Sequence, residues 1–197
     1  MKKIKIVFAS TNSGKIAEME YLINRNLEDK GFEAELLSLK DIGFTDEIIE
    51  DGATFEANAE IKARAVFDKT GMISFADDSG LCVDYLNGAP GIYSARYGGI
   101  DRLLNELQGV PDEKRTAYFY CAVYCIVSRS ENFCTAGKCA GIITHEKFGE
   151  GGFGYDPVFY YPPAKRTFAQ MTGEEKNKLS HRAIAAELFA EKIVKYI

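Results

Sequence analysis

The first forty residues alternate between apolar runs and a helical pattern. The apolar run at 3–9 predicts a strand, and residues 14–29 carry an apolar stripe typical of an amphipathic helix that ends at Gly31. A weaker alternation over 33–39 predicts a second strand. The chain is therefore predicted to begin as a βαβ unit.

The remaining pattern predicts several more strands and three more helices. Thr54 is the predicted N-cap of a helix that extends to Thr70 and stops at Gly71. The later elements are predicted, in order, as strands at 72–76 and 81–85 around an acidic turn "DDSG", a helix at 101–108, a hairpin of strands at 115–128 and 133–143, and a last helix from Ser180 to Tyr196. This order predicts a mixed α/β sheet rather than a purely doubly wound one.

Length and composition place few limits beyond those of an ordinary globular protein. With 197 residues, 46% hydrophobic and 27% charged, the chain is predicted to form one domain of two lobes over residues 1–197. Its apolar runs fall short of the ~20 residues that span a bilayer, and "MKKIKIVFAS" is too short for a signal peptide, so we expect a cytoplasmic protein without a membrane partner. The net charge of −5 argues against general nucleic-acid binding.

The five cysteines do not follow the spacing of a zinc ribbon. They are Cys82, Cys121, Cys125, Cys134 and Cys139, and the last four are spaced C-x3-C and C-x4-C among aromatic and aliphatic residues. This setting favours reduced thiols on buried strands, because a free cysteine packs as a small hydrophobe. A redox or zinc-binding role is the alternative, which a zinc assay would test.

The stretch "FASTNSGK" at 8–15 contains donors suited to a phosphate but is not a P-loop. Ala9 stands where the P-loop motif has its first glycine, and Ile16 follows Lys15 where the motif has Ser or Thr. The phosphate-type donors at this helix start are Ser10, Thr11, Asn12, Ser13, Gly14 and Lys15. A capped helix start with an exposed lysine is an equally open interpretation.

Two adjacent carboxylates, Asp77 and Asp78, follow the apolar strand in "FADDSG". Because neighbouring side chains of a strand point to opposite faces, these two residues need not share one task. An acidic side chain at a strand end is a natural ligand for Mg²⁺, which favours one or two carboxylates together with substrate phosphates. The alternative is an ordinary Asx-type turn.

Two further stretches could contribute to a ligand site. "GFGYDP" at 152–157 combines aromatic rings that can stack on a base with an acid that can accept from ring N–H groups, although a tight turn would use the same residues. "KNKLSHR" at 176–182 gathers cations near a helix start, where the helix dipole does not favour them unless an anion is bound. Together with the phosphate-type donors and the carboxylates, these stretches indicate a nucleotide and Mg²⁺.

Five stretches resemble one enzyme family in order along nearly the whole chain. They are "STNSGK", "EDGATFEANAEIKA", "FADDSGLCVDYLNGAPGIYSARYGG", "GGFGYDPVF" and "EEKNKLSHR", and the family is that of the inosine triphosphate pyrophosphatases. The resemblance implies Mg²⁺-dependent hydrolysis of ITP, dITP and XTP to the monophosphate and pyrophosphate. It also implies an elongated mixed β-sheet with flanking helices, two lobes around a central nucleotide cleft, and a homodimer.

The resemblance also assigns roles to individual residues. Asp78 would be the catalytic acidic residue, which accepts the proton of the attacking water, and, with Glu50, a metal ligand. The substrate would be bound by Ser10, Thr11, Asn12, Ser13, Gly14, Lys15, Lys62, Ser79, Phe153, Gly154, Tyr155, Asp156, Lys176, His181 and Arg182. Within that set, three lysines would stabilise the leaving pyrophosphate, Phe153 would stack on the base, and Arg182 with His181 would donate to the 6-oxo group that adenine lacks.

Three positions depart from the pattern of the family. Ser10 stands where threonine is common, Cys82 where other residues are common, and the segment at Gly99–Asp101 lacks part of a longer polar stretch. The hydroxyl of Ser10 retains the chemistry of a threonine, and Cys82 is interpreted as neutral packing. The alternatives left open are a pyrophosphatase of other nucleotides and a nucleotide-binding module without turnover.

Overall fold

The computed structural model describes all residues 1–197, and its seven strands form one mixed sheet in the order β2-β1-β3-β4-β5-β6-β7. The strands are β1 (Lys2–Phe8), β2 (Phe32–Ser38), β3 (Ser74–Val83), β4 (Thr116–Ile126), β5 (Asn132–Ile143), β6 (Phe159–Tyr161) and β7 (Arg166–Thr167). β1 is parallel to β2 and β3, whereas β6 is antiparallel to β5 and β7. The predicted mixed α/β sheet is confirmed.

Five α-helices accompany the sheet: α1 (Ser13–Glu28), α2 (Phe55–Thr70), α3 (Gly99–Glu106), α4 (Gly173–Lys176) and α5 (His181–Ile193). Asn12 caps α1 by accepting from the backbone N–H of Lys15, and Thr54 caps α2 by accepting from that of Ala57. Gly71 ends α2 in the left-handed conformation with φ of 66°, which a glycine adopts without strain. None of the helices is long and apolar enough to cross a membrane.

The chain divides into two compact units. Unit 1 comprises Met1–Asp78, Cys121–Gly137 and Arg182–Ile197, and unit 2 comprises Ser79–Tyr120 and Lys138–His181. The core of unit 2 is apolar and includes Phe119, Phe159 and Phe168, whose rings pack together. Each unit therefore has a hydrophobic core of its own.

In unit 1 the two faces of the sheet pack against different helices. Ile6, Phe8 and Phe75 lie in a core with buried residues of α1 and α5. Val7 and Ala76, which alternate with them, lie in a second core with buried residues of α2. This alternation decides which helix each strand residue contacts.

The predicted turn "DDSG" is wrong, because these residues lie inside β3, which runs unbroken from Ser74 to Val83. Asp77 and Asp78 are buried, and each carboxylate is paired with side chains of helices instead of turning back on its own backbone. Long-range ion pairs and hydrogen bonds override the local preference of Asp-Ser-Gly for a turn. The predicted strands at 72–76 and 81–85 are thus one strand.

The end of the chain also differs from its prediction. The last helix begins at His181 and ends at Ile193, and the separate short helix α4 ends at Lys176. Lys176 therefore lies in the last turn of a helix, where a cation is favoured, and not at a helix start as the sequence suggested.

All five cysteines are free thiols and lie on β3, β4 or β5. Four of them are buried and Cys134 is half-buried. Burial raises the pKa of the Cys121 thiol to about 12 and those of Cys134 and Cys139 to about 11. These environments match the prediction of thiols that pack on strands.

Candidate functional site

The two neighbouring carboxylates of β3 contact different helices of unit 1. Asp77 follows the parity of Phe75 and is paired with Lys15 of α1 and Arg182 of α5. Asp78 follows the parity of Ala76 and accepts from Asn58 of α2. The expectation that the two carboxylates face opposite ways is confirmed. We use the name β3 cluster for the two carboxylates and the side chains paired with or near them: Lys15, Glu18, Glu50, Asn58, Lys62, Asp77, Asp78 and Arg182.

Asp77 is a fully ionised partner of two cations. Its Oδ2 lies 3.0 Å from Lys15 Nζ and 3.6 Å from Arg182 Nη2, and Arg182 Nη1 donates to Glu18 Oε2 at 2.8 Å. Burial opposes ionisation of Asp77, but the charges of Lys15 and Arg182 outweigh it and lower the pKa of this carboxyl to about 2. Asp77 is therefore a poor proton acceptor at neutral pH.

Asp78 has a different electrostatic environment. Its Oδ2 accepts from Asn58 Nδ2 at 3.1 Å, and its Oδ1 lies 3.9 Å from Lys62 Nζ. Burial raises the pKa of the Asp78 carboxyl, and the positive charge of Lys62 offsets only part of that effect. A carboxylate whose pKa is raised is a better proton acceptor than Asp77.

Glu50 completes a pair of carboxylates around one lysine. Lys62 Nζ lies 2.7 Å from Glu50 Oε2 and within 4 Å of Asp78. The structure contains no group of three or more acidic, His or Cys side chains able to hold a metal ion. Glu50 and Asp78, which both lie beside the Lys62 ammonium group, are the kind of ligands that Mg²⁺ uses. This ion is usually held by one or two carboxylates plus waters and substrate phosphates. The residues present therefore fit the metal that the family resemblance implies.

The start of α1 presents hydroxyl and backbone donors near Lys15. Ser10 Oγ accepts from the N–H of Asn12, whose own Oδ1 accepts from the N–H of Lys15 at 3.1 Å. The other predicted residues of this stretch, Thr11, Ser13 and Gly14, are exposed. The helix start is thus capped, by Asn12, but Lys15 is half-buried and paired with Asp77 rather than exposed as the interpretation of a merely capped helix start expected.

In unit 2 the loop "GFGYDP" is organised by Asp156. The buried Asp156 accepts through Oδ2 from Lys176 Nζ at 2.6 Å and from the backbone N–H of Phe153 at 2.9 Å. Gly152 has a φ of 71°, and a Cβ on it would overlap the Asp156 carboxylate. The loop is therefore held in one conformation by a buried ion pair.

Phe153 is presented to solvent by this loop. Phe153 is 43% exposed, and Lys176 Nζ lies 4.8 Å from the centre of its ring. Tyr155 is buried, with its hydroxyl donating to the backbone oxygen of Ser94. Phe153 thus offers an aromatic face, while Tyr155 anchors the loop. We call these residues, with Asp156 and Lys176, the loop cluster.

The other predicted residues are placed as follows. Ser79 is half-buried on β3, Gly154 is exposed with φ of 60°, and the ring of the buried His181 stacks on that of Phe119. The structure thus brings the predicted phosphate and metal residues together in unit 1 and the predicted base-binding loop and Lys176 together in unit 2. Their roles stay predictions.

Sequence reasoning missed two residues of the β3 cluster. Asn58 is 1% exposed and bonds to both Asp78 and the backbone of Gly52, and Glu18 pairs with Arg182. Asn58 stands four residues before Lys62, so the two share one face of α2, and that spacing was an available signal. No signal in the sequence pairs Glu18 with a residue 164 positions away.

Comparison with known proteins identifies the family. The model of the Ham1 family matches residues 6–192. The chain belongs to the Ham1 family. It is 46% identical over 189 residues to the dITP/XTP pyrophosphatase of Bacillus licheniformis, with 92% of this chain and 93% of that protein covered.

Solved structures of the Ham1 family support the fold as well. The HAM1 protein from Coxiella burnetii superposes with a TM-score of 0.86 at 37% identity, covering 98% of this chain and 99% of that one. The Ham1 protein of Staphylococcus aureus gives a TM-score of 0.83 at 36% identity, covering 98% and 99%. The mixed sheet described above is thus the fold of this family.

Proposed function

We propose that this Ham1 family chain hydrolyses deaminated purine nucleoside triphosphates, namely ITP, dITP and XTP, to the monophosphate and pyrophosphate. The observation that carries the proposal is the pairing of Asp78, Glu50 and Lys62, because it combines a proton acceptor with oxygen ligands beside a cation. Relatives named dITP/XTP pyrophosphatase over more than nine-tenths of their length support the choice of substrate.

Lys15 and Lys62 of the β3 cluster would bind the triphosphate. Lys15 and Lys62 are half-buried ammonium groups held by carboxylates, so their positions are set before a substrate arrives. The exposed hydroxyls of Thr11 and Ser13 and the N–H groups at the start of α1 add neutral donors. These groups would offset the negative charge that develops on the pyrophosphate as it leaves.

Asp78 would accept the proton of the attacking water. Its raised pKa and its fixed Oδ2, bonded to Asn58, suit a general base better than the doubly paired Asp77 does. Mg²⁺, held by Glu50 and Asp78, would supply positive charge against the phosphate oxygens. Ser79, the next residue of β3, would contact the same end of the substrate.

The loop cluster would recognise the base. The exposed ring of Phe153 would stack on the purine. The buried pair of Asp156 and Lys176 would face the polar edge of the base. We therefore assign Lys176 to the base rather than to the leaving pyrophosphate. Gly154 and Tyr155 shape the loop, and His181 and Arg182 would donate to the 6-oxo group. A guanidinium carries five donors, so pairing with Glu18 and Asp77 is compatible with this role.

Hydrolysis of ITP in H₂¹⁸O tests the reaction type. Attack of water at the α-phosphorus puts the label into inosine monophosphate and leaves the pyrophosphate unlabelled. Label in orthophosphate, or in pyrophosphate, would contradict the proposal. Omission of Mg²⁺ with added EDTA serves as the matched control, and we expect turnover to stop there.

The proposal includes two further features: a homodimer, which the family resemblance alone supports, and a cytoplasmic location, which the shortness of the apolar runs supports. The homodimer can be tested by light scattering on the purified protein, where a mass near twice 21.9 kDa is expected. A mass of one chain would contradict it.

A further inference from the structure

We propose that Asn58 is a positioning residue that holds Asp78 and the segment 50–52, here called the Glu50 segment, in fixed positions for binding a divalent cation. The inference rests on the proposed function, in which these two carboxylates bind Mg²⁺. It concerns a residue that would touch neither the substrate nor the reacting atoms, and so would act only through others.

The side-chain amide of Asn58 is engaged at both ends. Its Nδ2 donates to Asp78 Oδ2 at 3.1 Å, and its Oδ1 accepts from the backbone N–H of Gly52 at 2.9 Å. The residue is 1% exposed, so water does not compete for these bonds. One rigid planar group therefore joins the strand that bears one carboxylate to the segment that bears the other.

The close approach of Gly52 to α2 is an independent sign that this connection is built in. A Cβ on Gly52 would lie 2.7 Å from Asn58 Oδ1 and 2.9 Å from both the Ala57 Cβ and the Asn58 backbone nitrogen. Real Cβ atoms do not come so near to neighbouring atoms. A residue without a side chain is thus required where the Glu50 segment meets the amide.

Lys62 also contacts the Glu50 segment, through the side chain of Glu50. Asn58 and Lys62 lie one helical turn apart on α2, and Lys62 Nζ bonds to Glu50 Oε2 at 2.7 Å. Thr54 caps α2 ahead of both residues and fixes where the helix begins. Glu50 is therefore positioned by two residues of one helix face, and Asn58 is the one that also fixes Asp78.

Loss of this amide should affect cation binding more than substrate binding. Without Asn58, Asp78 loses the donor that orients Oδ2, and the Glu50 segment loses its backbone anchor. Lys15 is held by Asp77 on the opposite face of β3, so its contribution to phosphate binding should persist. Residues that orient metal ligands typically change metal affinity or activity 10–100-fold when they are removed.

The test compares Asn58→Leu, Gly52→Ala and a control, Asn24→Leu. Leucine has the same number and branching of side-chain heavy atoms as asparagine but no polar atom. Asn24 is a matched control, because its amide also bonds at both ends, to the N–H and the C=O of Ala34, away from the carboxylates. Binding of Mn²⁺ alone is followed by electron paramagnetic resonance in the absence of nucleotide, and kcat and KM for ITP are measured with Mg²⁺.

We expect Asn58→Leu to raise the Kd for Mn²⁺ at least about tenfold and to lower kcat about 10–100-fold, with KM within about threefold of wild type. Gly52→Ala should also raise the Kd for Mn²⁺, and it carries the test if Asn58→Leu does not fold by circular dichroism. Asn24→Leu should lower only the melting temperature.

Mn²⁺ binding within twofold of wild type in both folded variants would overturn the inference, as would a wild type without saturable Mn²⁺ binding. A wild type whose Mn²⁺ binding is weakened by Asn58→Leu, but which does not hydrolyse ITP or XTP, would contradict the proposed function and leave the positioning role of Asn58 supported. The two failures are therefore distinguishable.

Discussion

Asp77 and Asp78 are neighbours in the chain but lie on opposite faces of β3, and each carboxylate has its own set of partners. The pKa of Asp77 is lowered to about 2, whereas burial raises that of Asp78. Two carboxylates with pKa values moved in opposite directions suit different tasks. In the proposed reaction Asp77 would organise cations, and Asp78 would accept a proton.

The first prediction concerns Asp78→Asn. An amide cannot accept the proton of water and is a poor ligand for Mg²⁺, so kcat for ITP should fall by at least about 100-fold. The substitution keeps the shape of the side chain, and we expect the melting temperature to stay at or above that of wild type, because a buried charge is removed. A variant that retains more than a tenth of wild-type kcat would show that Asp78 is not the proton acceptor.

The second prediction concerns Asp77→Asn. Its carboxylate pairs with Lys15 and Arg182 in a site that is almost fully buried, so its removal should lower the free energy of unfolding by about 3 kcal/mol. Guanidinium denaturation measures this change. The control is Asp46→Asn, whose exposed pair with Lys69 should contribute less than about 1 kcal/mol. Equal losses in both variants would contradict the role given to Asp77.

The third prediction compares two exposed phenylalanines of unit 2. Phe153→Ala should raise KM for ITP about tenfold or more, since stacking of a base on an aromatic ring contributes about 1–3 kcal/mol. Phe148 is 42% exposed, nearly as much as Phe153, and it belongs to no predicted site. Phe148→Ala should therefore leave KM within twofold of wild type. The assignment of the base to this loop fails if both variants bind ITP equally well.

The fourth prediction concerns the thiols. Because burial raises the pKa of Cys134 and Cys139 to about 11, these thiols stay protonated at pH 8. Reaction of the native protein with Ellman's reagent at pH 8 should be about 100-fold slower than that of the protein unfolded in guanidinium, and should accelerate about tenfold per pH unit below the raised pKa. Half-buried Cys134 should react first. A rapidly reacting thiol in the native protein would reopen the redox interpretation.

Local sequence predicted much of the scaffold of the site. The cap Thr54, the stop at Gly71 and the opposite directions of Asp77 and Asp78 follow from helix ends and strand period, and the structure contains them. The unbroken β3 did not follow, because its carboxylates are stabilised by helices elsewhere in the chain rather than by adjacent residues.

Ion pairs between residues far apart in the chain could not be predicted from local sequence for the same reason. The pairs of Glu18 with Arg182 and of Lys15 with Asp77 join positions 164 and 62 residues apart. Neither pattern nor propensity encodes such contacts; they depend on how the helices pack on the sheet. The family resemblance named Asp78 and Lys62, but it did not reveal that Asn58 connects Asp78 to the Glu50 segment.

The most direct test of the central claim is a comparison of pyrophosphate release from ITP, XTP, GTP and ATP at equal concentration with Mg²⁺. We expect kcat/KM values for ITP and XTP at least about 100-fold above that for ATP, because a site built on hydrogen bonds to the 6-oxo group rejects the 6-amino group. GTP shares the 6-oxo group, so we expect its weak turnover to come instead from crowding or unmet donors at its 2-amino group. Equal turnover of all four nucleotides, or release of orthophosphate instead of pyrophosphate, would contradict the central claim.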